Sequence, residues 1–272
     1  MMFNIYMKAG KIIFSFWVML LVNAPVFAQN TFCNTRNYVV HDGEKITFKV
    51  YYNLSALWIG AGEANFTTTL TQLNGADVYH IVGVGRTYDS YDWIFKVRDR
   101  YQTYLDAKTL KPLKFLRSVN EGGYKFTNDV IFDRAKNKAY SNHKAFSVPE
   151  CVQDVLSAIY YARNIDYDQY KAGMKIPFSL FLDDEVYSLY IRYIGKERIT
   201  TKYGTFNAIK IAPLLIKGTI FEGGEKMTIW VSDDRNHLPL RVNSPILVGS
   251  VKVDMMNYSN LKYPLTSLIR KN

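Results

Sequence analysis

The chain has 272 residues, with 34 Lys and Arg against 24 Asp and Glu, and a formal net charge of +10. Its 48% hydrophobic and 15% aromatic content is enough for one large β domain or two small ones. The basic residues are scattered among acids, a pattern of a solvated basic surface or of an anionic partner such as lipid headgroups.

The N-terminus carries an export signal. Lys8 and Lys11 precede an apolar stretch from Ile12 to Val22, then Pro25 and Val26-Phe27-Ala28. The stretch is shorter than the roughly 18–20 residues of a membrane anchor. Cleavage is expected after Ala28, so that residues 1–28 are a signal peptide and 29–272 a single β-rich domain in the periplasm. Losing Lys8 and Lys11 lowers the net charge from +10 to +8. Export argues against a nucleic-acid partner, and no later segment is apolar for long enough to span a bilayer as a helix. Asn30-Thr31-Phe32 lacks the small residues that a lipoprotein peptidase needs before Cys33, so a lipid anchor is not expected. Cys33 and Cys151 are the only cysteines, and both reach an oxidising space. They are expected either to pair, closing a loop of 118 residues, or to remain two buried thiols.

Period-two alternation then dominates. In Lys45-Ile46-Thr47-Phe48-Lys49-Val50-Tyr51 the apolar residues fall at 46, 48 and 50, as in a half-buried strand. Similar runs cover 64–70, 78–84, 101–105, 113–118, 126–132, 186–194, 208–214, 227–231, 240–242 and 248–255. Asn74-Gly75, Glu121-Gly122-Gly123, Tyr203-Gly204 and Glu222-Gly223-Gly224 separate them as turns. A short helical turn is expected over Ser90–Ile94. From Cys151 to Asn164 the pattern changes: Val152, Val155, Leu156, Ile159 and Tyr160 have helical spacing.

The two halves resemble one another. Tyr104-Leu105-Asp106, five residues and Pro112-Leu113 match Val231-Ser232-Asp233, five residues and Pro239-Leu240. The expectation is mainly β, a strongly curved antiparallel sheet or barrel with one amphipathic helix. Duplicated halves over about 40–147 and 170–258 would flank that helix, at about 151–164.

Several segments resemble a family of bacterial envelope proteins known as domain of unknown function 3108. They are Phe48-Lys49-Val50-Tyr51-Tyr52, Gly60-Ala61-Gly62-Glu63-Ala64, Val97-Arg98-Asp99-Arg100, the turn from Asp106 to Pro112, Asp154-Val155-Leu156-Ser157-Ala158, and Ile229-Trp230-Val231-Ser232-Asp233 running on to Pro239. The resemblance implies an exported β-rich domain and assigns no functional residue. The strand, Asp turn and Pro-started strand are also similar to an element of periplasmic lipoprotein carriers, a likeness of fold alone.

Catalytic motifs are lacking. His41, His80, His143 and His237 have no metal-ligand spacing, and no metal or cofactor is expected. His80 alternates with Val78 and Val82 on an expected inward face. Gly60-Ala61-Gly62 and Gly83-Val84-Gly85 read as bulges or bends, and Asp183-Asp184-Glu185 and Asp233-Asp234 as turn caps. Tyr88-Asp89-Ser90-Tyr91-Asp92-Trp93-Ile94-Phe95 joins four aromatics to two acids. Trp58, Tyr91, Trp93, Arg98 and Arg100 are therefore the candidate ligand-binding residues, bordering the entrance of an apolar cavity. The expected function is a non-enzymatic periplasmic carrier of a lipid or other apolar ligand. The alternative is an envelope assembly or interaction factor that binds protein or glycan, and a hydrolase ranks third.

Overall fold

Alternation, not helical periodicity, sets the architecture: the chain forms one antiparallel sheet of fifteen strands. The computed structural model describes residue 33 and residues 36–54, 57–217, 223–246 and 248–272. The signal segment and the cleavage position after Ala28 lie outside the described residues.

Six strands come first: β1 (Lys45–Leu54), β2 (Leu57–Leu73), β3 (Ala76–Thr87), β4 (Arg98–Asp106), β5 (Pro112–Glu121) and β6 (Tyr124–Asp133). A hairpin of β7 (Lys138–Ser141) and β8 (Lys144–Ser147) follows, then the helix α1 (Val155–Ala162). The second half holds β9 (Lys175–Leu182), β10 (Glu185–Thr200), β11 (Gly204–Pro213), β12 (Thr228–Ser232), β13 (Pro239–Pro245), β14 (Ser250–Ser259) and β15 (Leu268–Lys271). Strand neighbours run β8-β7-β6-β5-β4-β3-β2-β1-β14-β13-β12-β11-β10-β9, with β15 on β11. The sheet is not closed, because β8 and β9 remain its ends.

The sheet is strongly curved, so strands distant in that order meet. Phe132 of β6 packs edge-on against Phe181 of β9 at 6.1 Å between centroids. Arg117 of β5 pairs with Asp183 beyond β9. Inside the curve sits α1. Leu156 and Tyr160 join Ile81, Leu105, Ile191 and Ile209 in one buried cluster. A second cluster gathers Ile46, Phe48, Phe206, Leu240 and Met255, and a third Phe115, Phe132, Val152 and Phe181.

The helix is shorter than its apolar spacing predicts. Val152 and Gln153 stay extended because Gln153 pairs with β9, donating to Ser179 O at 2.9 Å and accepting from Phe181 N at 2.8 Å. Asp154 then caps the helix, accepting from Ser157 N at 2.8 Å, while Ser157 Oγ accepts from Asp154 N at 2.7 Å. Strands β7, β8 and β15 have four residues each, too few for alternation to show. In β9 Pro177 interrupts the pattern. Of the two glycine segments, only the first is a bulge. The β1–β2 register slips between Val50 and Tyr51, opposite Gly62 and Gly60. At Gly83 the register is continuous, and the missing side chain makes room instead: a Cβ would lie 3.0 Å from the Phe66 ring and 3.5 Å from Leu156.

Two crosslinks hold α1 in place. Cys33 and Cys151 form a disulfide, with Cα atoms 5.0 Å apart and a sequence separation of 118. Chain entropy alone gives such a loop about 4–5 kcal/mol. Arg163, just after α1, is bidentate to Glu44 at 2.7 and 2.8 Å, with both side chains buried. Removing one partner strands a buried charge. Glu44→Ala is therefore expected to cost about 3–5 kcal/mol in chemical unfolding, a loss that Glu63→Ala, on an exposed pair, should not reproduce. Thiol counting on denatured, unreduced protein should find no free cysteine.

Candidate functional site

Antiparallel pairing brings the turns β1–β2, β3–β4, β5–β6, β9–β10 and β13–β14 to one edge of the sheet. The β3–β4 loop is the longest of the fully described ones there, and Arg98 fixes it. Its Nη1 donates to Thr87 O at 3.0 Å and Asp92 Oδ1 at 3.0 Å, and its Nη2 to Asp89 Oδ1 at 2.7 Å and Asp92 Oδ2 at 2.6 Å. The Thr87 hydroxyl donates to Asp92 at 2.7 Å and, with Arg98, holds that carboxyl below its ordinary range. Ser90 O accepts from Trp93 Nε1 at 3.0 Å, beside the 3-10 turn Asp89–Tyr91. Phe95 lies against Gly122 of the β5–β6 turn, where an added Cβ would meet the ring at 2.5 Å.

The clamp leaves the loop's apolar tip in solvent. Trp93 is 83% exposed, and Ile94 and Phe95 are exposed beside it. The adjacent β1–β2 edge does the same with Leu57-Trp58-Ile59, of which Leu57 is 73% exposed. Val248 is exposed in the β13–β14 turn, where its carbonyl accepts from Tyr52 OH at 2.9 Å, and Tyr124 is exposed at the β5–β6 turn. Four neighbouring turns thus carry a continuous apolar edge. Contiguous exposed apolar surface of this kind marks interaction with a partner or a membrane.

The five candidate residues divide. Trp58 and Trp93 share this edge, and Tyr91 is half-buried in the turn behind Trp93. Arg98 is turned to its own loop, where its charge is shared by Asp89 and Asp92. Arg100 stands on the opposite face of β4 from α1, near Gln102 at 3.5 Å. None of the five lines either of two clefts that the described residues form. These clefts, of about 440 and 420 Å³, open elsewhere, the first lined by Arg163, Asp168, Asp233 and His237, the second by Gln102, Arg117 and Asn128. Leu57, Ile59, Ile94, Phe95 and Val248 were not singled out as contacts by sequence. Their signal is three runs of large apolar residues, Leu57-Trp58-Ile59, Trp93-Ile94-Phe95 and Ile246-Leu247-Val248, at turns, where polar residues are usual.

His80 also lies on the outer face, stacked on Tyr104 at 4.3 Å and bonded to Gln102 at 3.1 Å. The core face of β3 carries Ile81 instead. His237 is half-buried, its Nδ1 2.9 Å from Arg163 O, and its partial burial pushes its pKa down. Asp183 and Asp184 have φ of 50° and 62° in the β9–β10 turn, and Asp234 accepts from Asn236 N at 2.9 Å. The second acidic segment therefore caps its turn, whereas Asp183 pairs with Arg117 and Asp184 accepts from Asn142. One carboxyl pair is chemically distinctive: burial, then hydrogen bonding with Asp99, pushes Glu121 from 4.5 to about 7. Asp99 itself accepts from Asn120 N at 3.0 Å.

Against known proteins, the family described as "Protein of unknown function (DUF3108)" matches residues 47–256. No curated protein matches the sequence. Among solved structures, a β-barrel-like protein of domain of unknown function DUF1849 from Brucella abortus superposes with a TM-score of 0.53 at 11% identity, over 82% of this chain and 99% of that one. A candidate lipoprotein from Parabacteroides distasonis gives a TM-score of 0.37 at 13% identity, over 83% and 99%. The first similarity is one of fold.

Glu121 generates a pH prediction. Between pH 4.5 and about 7 the folded form holds a proton there that the unfolded chain releases. Stability contributed at this site is therefore present below that window and lost as pH rises through it. Urea unfolding of Glu121→Gln from pH 4.5 to 7.5 should show a smaller decline than the wild type; equal slopes would reject the assignment.

Proposed function

The chain belongs to the DUF3108 family, and we propose that it is a non-enzymatic, exported binding protein that engages a lipid or similar amphiphile through the apolar edge of its sheet. The observation that carries this reading is the pair of exposed triplets, Leu57-Trp58-Ile59 and Trp93-Ile94-Phe95, on adjacent turns. Exposure of six large apolar side chains is unfavourable in water, and each gains about 1.5–3 kcal/mol if fully buried. Arg98 holds the second triplet outward through two aspartates, so that the tip is preorganised. The export signal read in residues 1–28 supports this reading, since a periplasmic protein faces membrane surfaces. The same interior that α1 fills favours contact at the edge over enclosure of a whole acyl chain. Among the described residues no helix is long and apolar enough to cross a membrane. The non-enzymatic reading rests on the sequence, which carries no recognised catalytic or metal motif.

The alternative, an assembly factor whose partner is a protein or glycan, would use the same edge. The test is tryptophan quenching by vesicles of brominated phospholipid, using the mature chain. Trp58 and Trp93 should be quenched and blue-shifted, whereas Trp230, only 9% exposed, should not respond. Trp93→Ala should weaken vesicle binding about tenfold, which corresponds to about 1.4 kcal/mol. Tryptophan emission unchanged at any lipid concentration would reject the lipid reading and leave the assembly-factor alternative.

A further inference from the structure

Behind the Trp58 turn, three lysines converge on one tyrosine. In the β1–β14 register Tyr51 lies opposite Lys252, and in the β1–β2 register opposite Gly60. Lys252 Nζ stands 5.0 Å from the Tyr51 ring centre, Lys202 Nζ from the β10–β11 turn 5.1 Å, and Lys49 Nζ 5.6 Å. Gly60 permits this arrangement, since a Cβ there would lie 2.6 Å from Lys49 Cε. Curvature supplies Lys202, because β10 lies five strands away from β1 in the sheet order.

The charges are not neutralised. None of these lysines forms an ion pair among the described residues. The acids nearest in the registers are engaged: Asp254 with Arg241 at 2.6 and 2.8 Å, and Glu63 with Arg86 at 2.9 Å. Tyr51 is only 4% exposed, yet its hydroxyl has no hydrogen-bond partner among the described residues. The amide oxygen of Asn243, opposite Lys252 on β13, is also buried without one. Burial pushes the Lys252 pKa down, and Arg241 and Lys202 push the same way. Lys202 is exposed and Lys49 and Lys252 are half-buried, and three ammonium groups around the ring of one buried, unpaired phenol repel one another, which an anion joining them relieves. The cluster is continuous with the apolar edge, for Lys252 Nζ also lies 4.5 Å from the Trp58 ring.

We infer that Lys49, Lys202, Lys252 and the Tyr51 hydroxyl form a binding site for the phosphate group of an anionic amphiphile whose apolar part rests on the Trp58 and Trp93 edge. A phosphate supplies several acceptor oxygens, which matches one phenol donor and three ammonium groups. The inference rests on the lipid reading above for the apolar part, while the anion site stands on its own residues.

Isothermal titration of the mature chain tests it with three probes: dihexanoyl phosphatidic acid, dihexanoyl phosphatidylcholine and inorganic phosphate. Phosphatidic acid should bind at least tenfold tighter than phosphatidylcholine, with the difference shrinking as salt rises. The triple variant Lys49→Gln/Lys202→Gln/Lys252→Gln should abolish that preference and leave phosphatidylcholine binding unchanged. Tyr51→Phe, which removes only the unpaired hydroxyl, should lose phosphatidic acid affinity severalfold without loss of thermal stability. Lys138→Gln, at the opposite edge, should change nothing. Inorganic phosphate as tight as phosphatidic acid, and lost in the triple variant, would support the anion site while overturning the amphiphile, and the lipid reading of the edge would then stand or fall on vesicle quenching at Trp93. Weaker inorganic phosphate supports a lipid source. Phosphatidic acid binding unaltered in the triple variant, or no phosphate probe bound by the wild type, overturns the inference; vesicle quenching at Trp93 would in that case still uphold the edge.

Discussion

Arg163 leaves the end of α1 with its guanidinium buried, and Glu44 meets it with both carboxylate oxygens from the residue just before β1. The remaining Nε donates to Asn236 O at 3.1 Å in the β12–β13 turn, and the Arg163 carbonyl bonds the His237 ring. One side chain therefore ties the helix to the first strand of the first half and to a turn of the second. The net stability of a buried ion pair is modest, because desolvation offsets much of the attraction. Its consequence here is geometric. A helix of eight residues has too few turns to fix its own position by packing, and the capping box at Asp154 fixes only its start. With Asp154 held by the Thr103 hydroxyl at 2.6 Å and Arg163 held by Glu44, both ends of α1 are set against the sheet.

That placement explains why the sheet stays open. The strands of the two halves follow one plan: β1 to β6 correspond in order and spacing to β9 to β14, including a long second strand of 17 and 16 residues with a register slip in each half. The halves join where β1 pairs β14. By the same symmetry β9 would pair β6 and close a barrel. Instead the β7–β8 hairpin extends the β6 edge, and Gln153 pairs along β9. The gap is bridged by side chains, Phe132 against Phe181 and Arg117 with Asp183, rather than by a ladder. The connection through α1 is what takes up the second seam.

The sheet, its central helix, the main turns and the candidate aromatics at 58 and 93 were legible from period, composition and turn chemistry. Those signals are local. The helix boundary was not, because residues 152 and 153 have helical spacing yet are claimed by β9, a contact made only in the folded chain. The face of β3 was misread for a related reason. Val78, His80 and Val82 alternate as a core face should, but α1 approaches from the other side, where Gly83 leaves it room. Arg98 looked like a ligand contact by its sequence neighbours, and those neighbours, Asp89 and Asp92, are what consume its charge. The lysine cluster was invisible altogether, since Lys49, Lys202 and Lys252 meet only when the sheet curves.

Stability and exposure sit at opposite edges of this molecule. The Arg163 join, the turn network of Asp234 and Asn236 and the helix cap stand at one end of the strands, while the apolar triplets stand at the other. Strands of ten to seventeen residues separate them along β1 and β2. A surface built to lose its water must be held in shape without using its own apolar groups as packing, or those groups would be buried already. Arg98 meets that requirement locally, by ordering the β3–β4 loop through charges rather than through Trp93, Ile94 or Phe95. The long ladders meet it globally, by carrying order from the plugged end to the free one. The exposed edge is therefore affordable because the core lies elsewhere, and its apolar side chains remain available for contact.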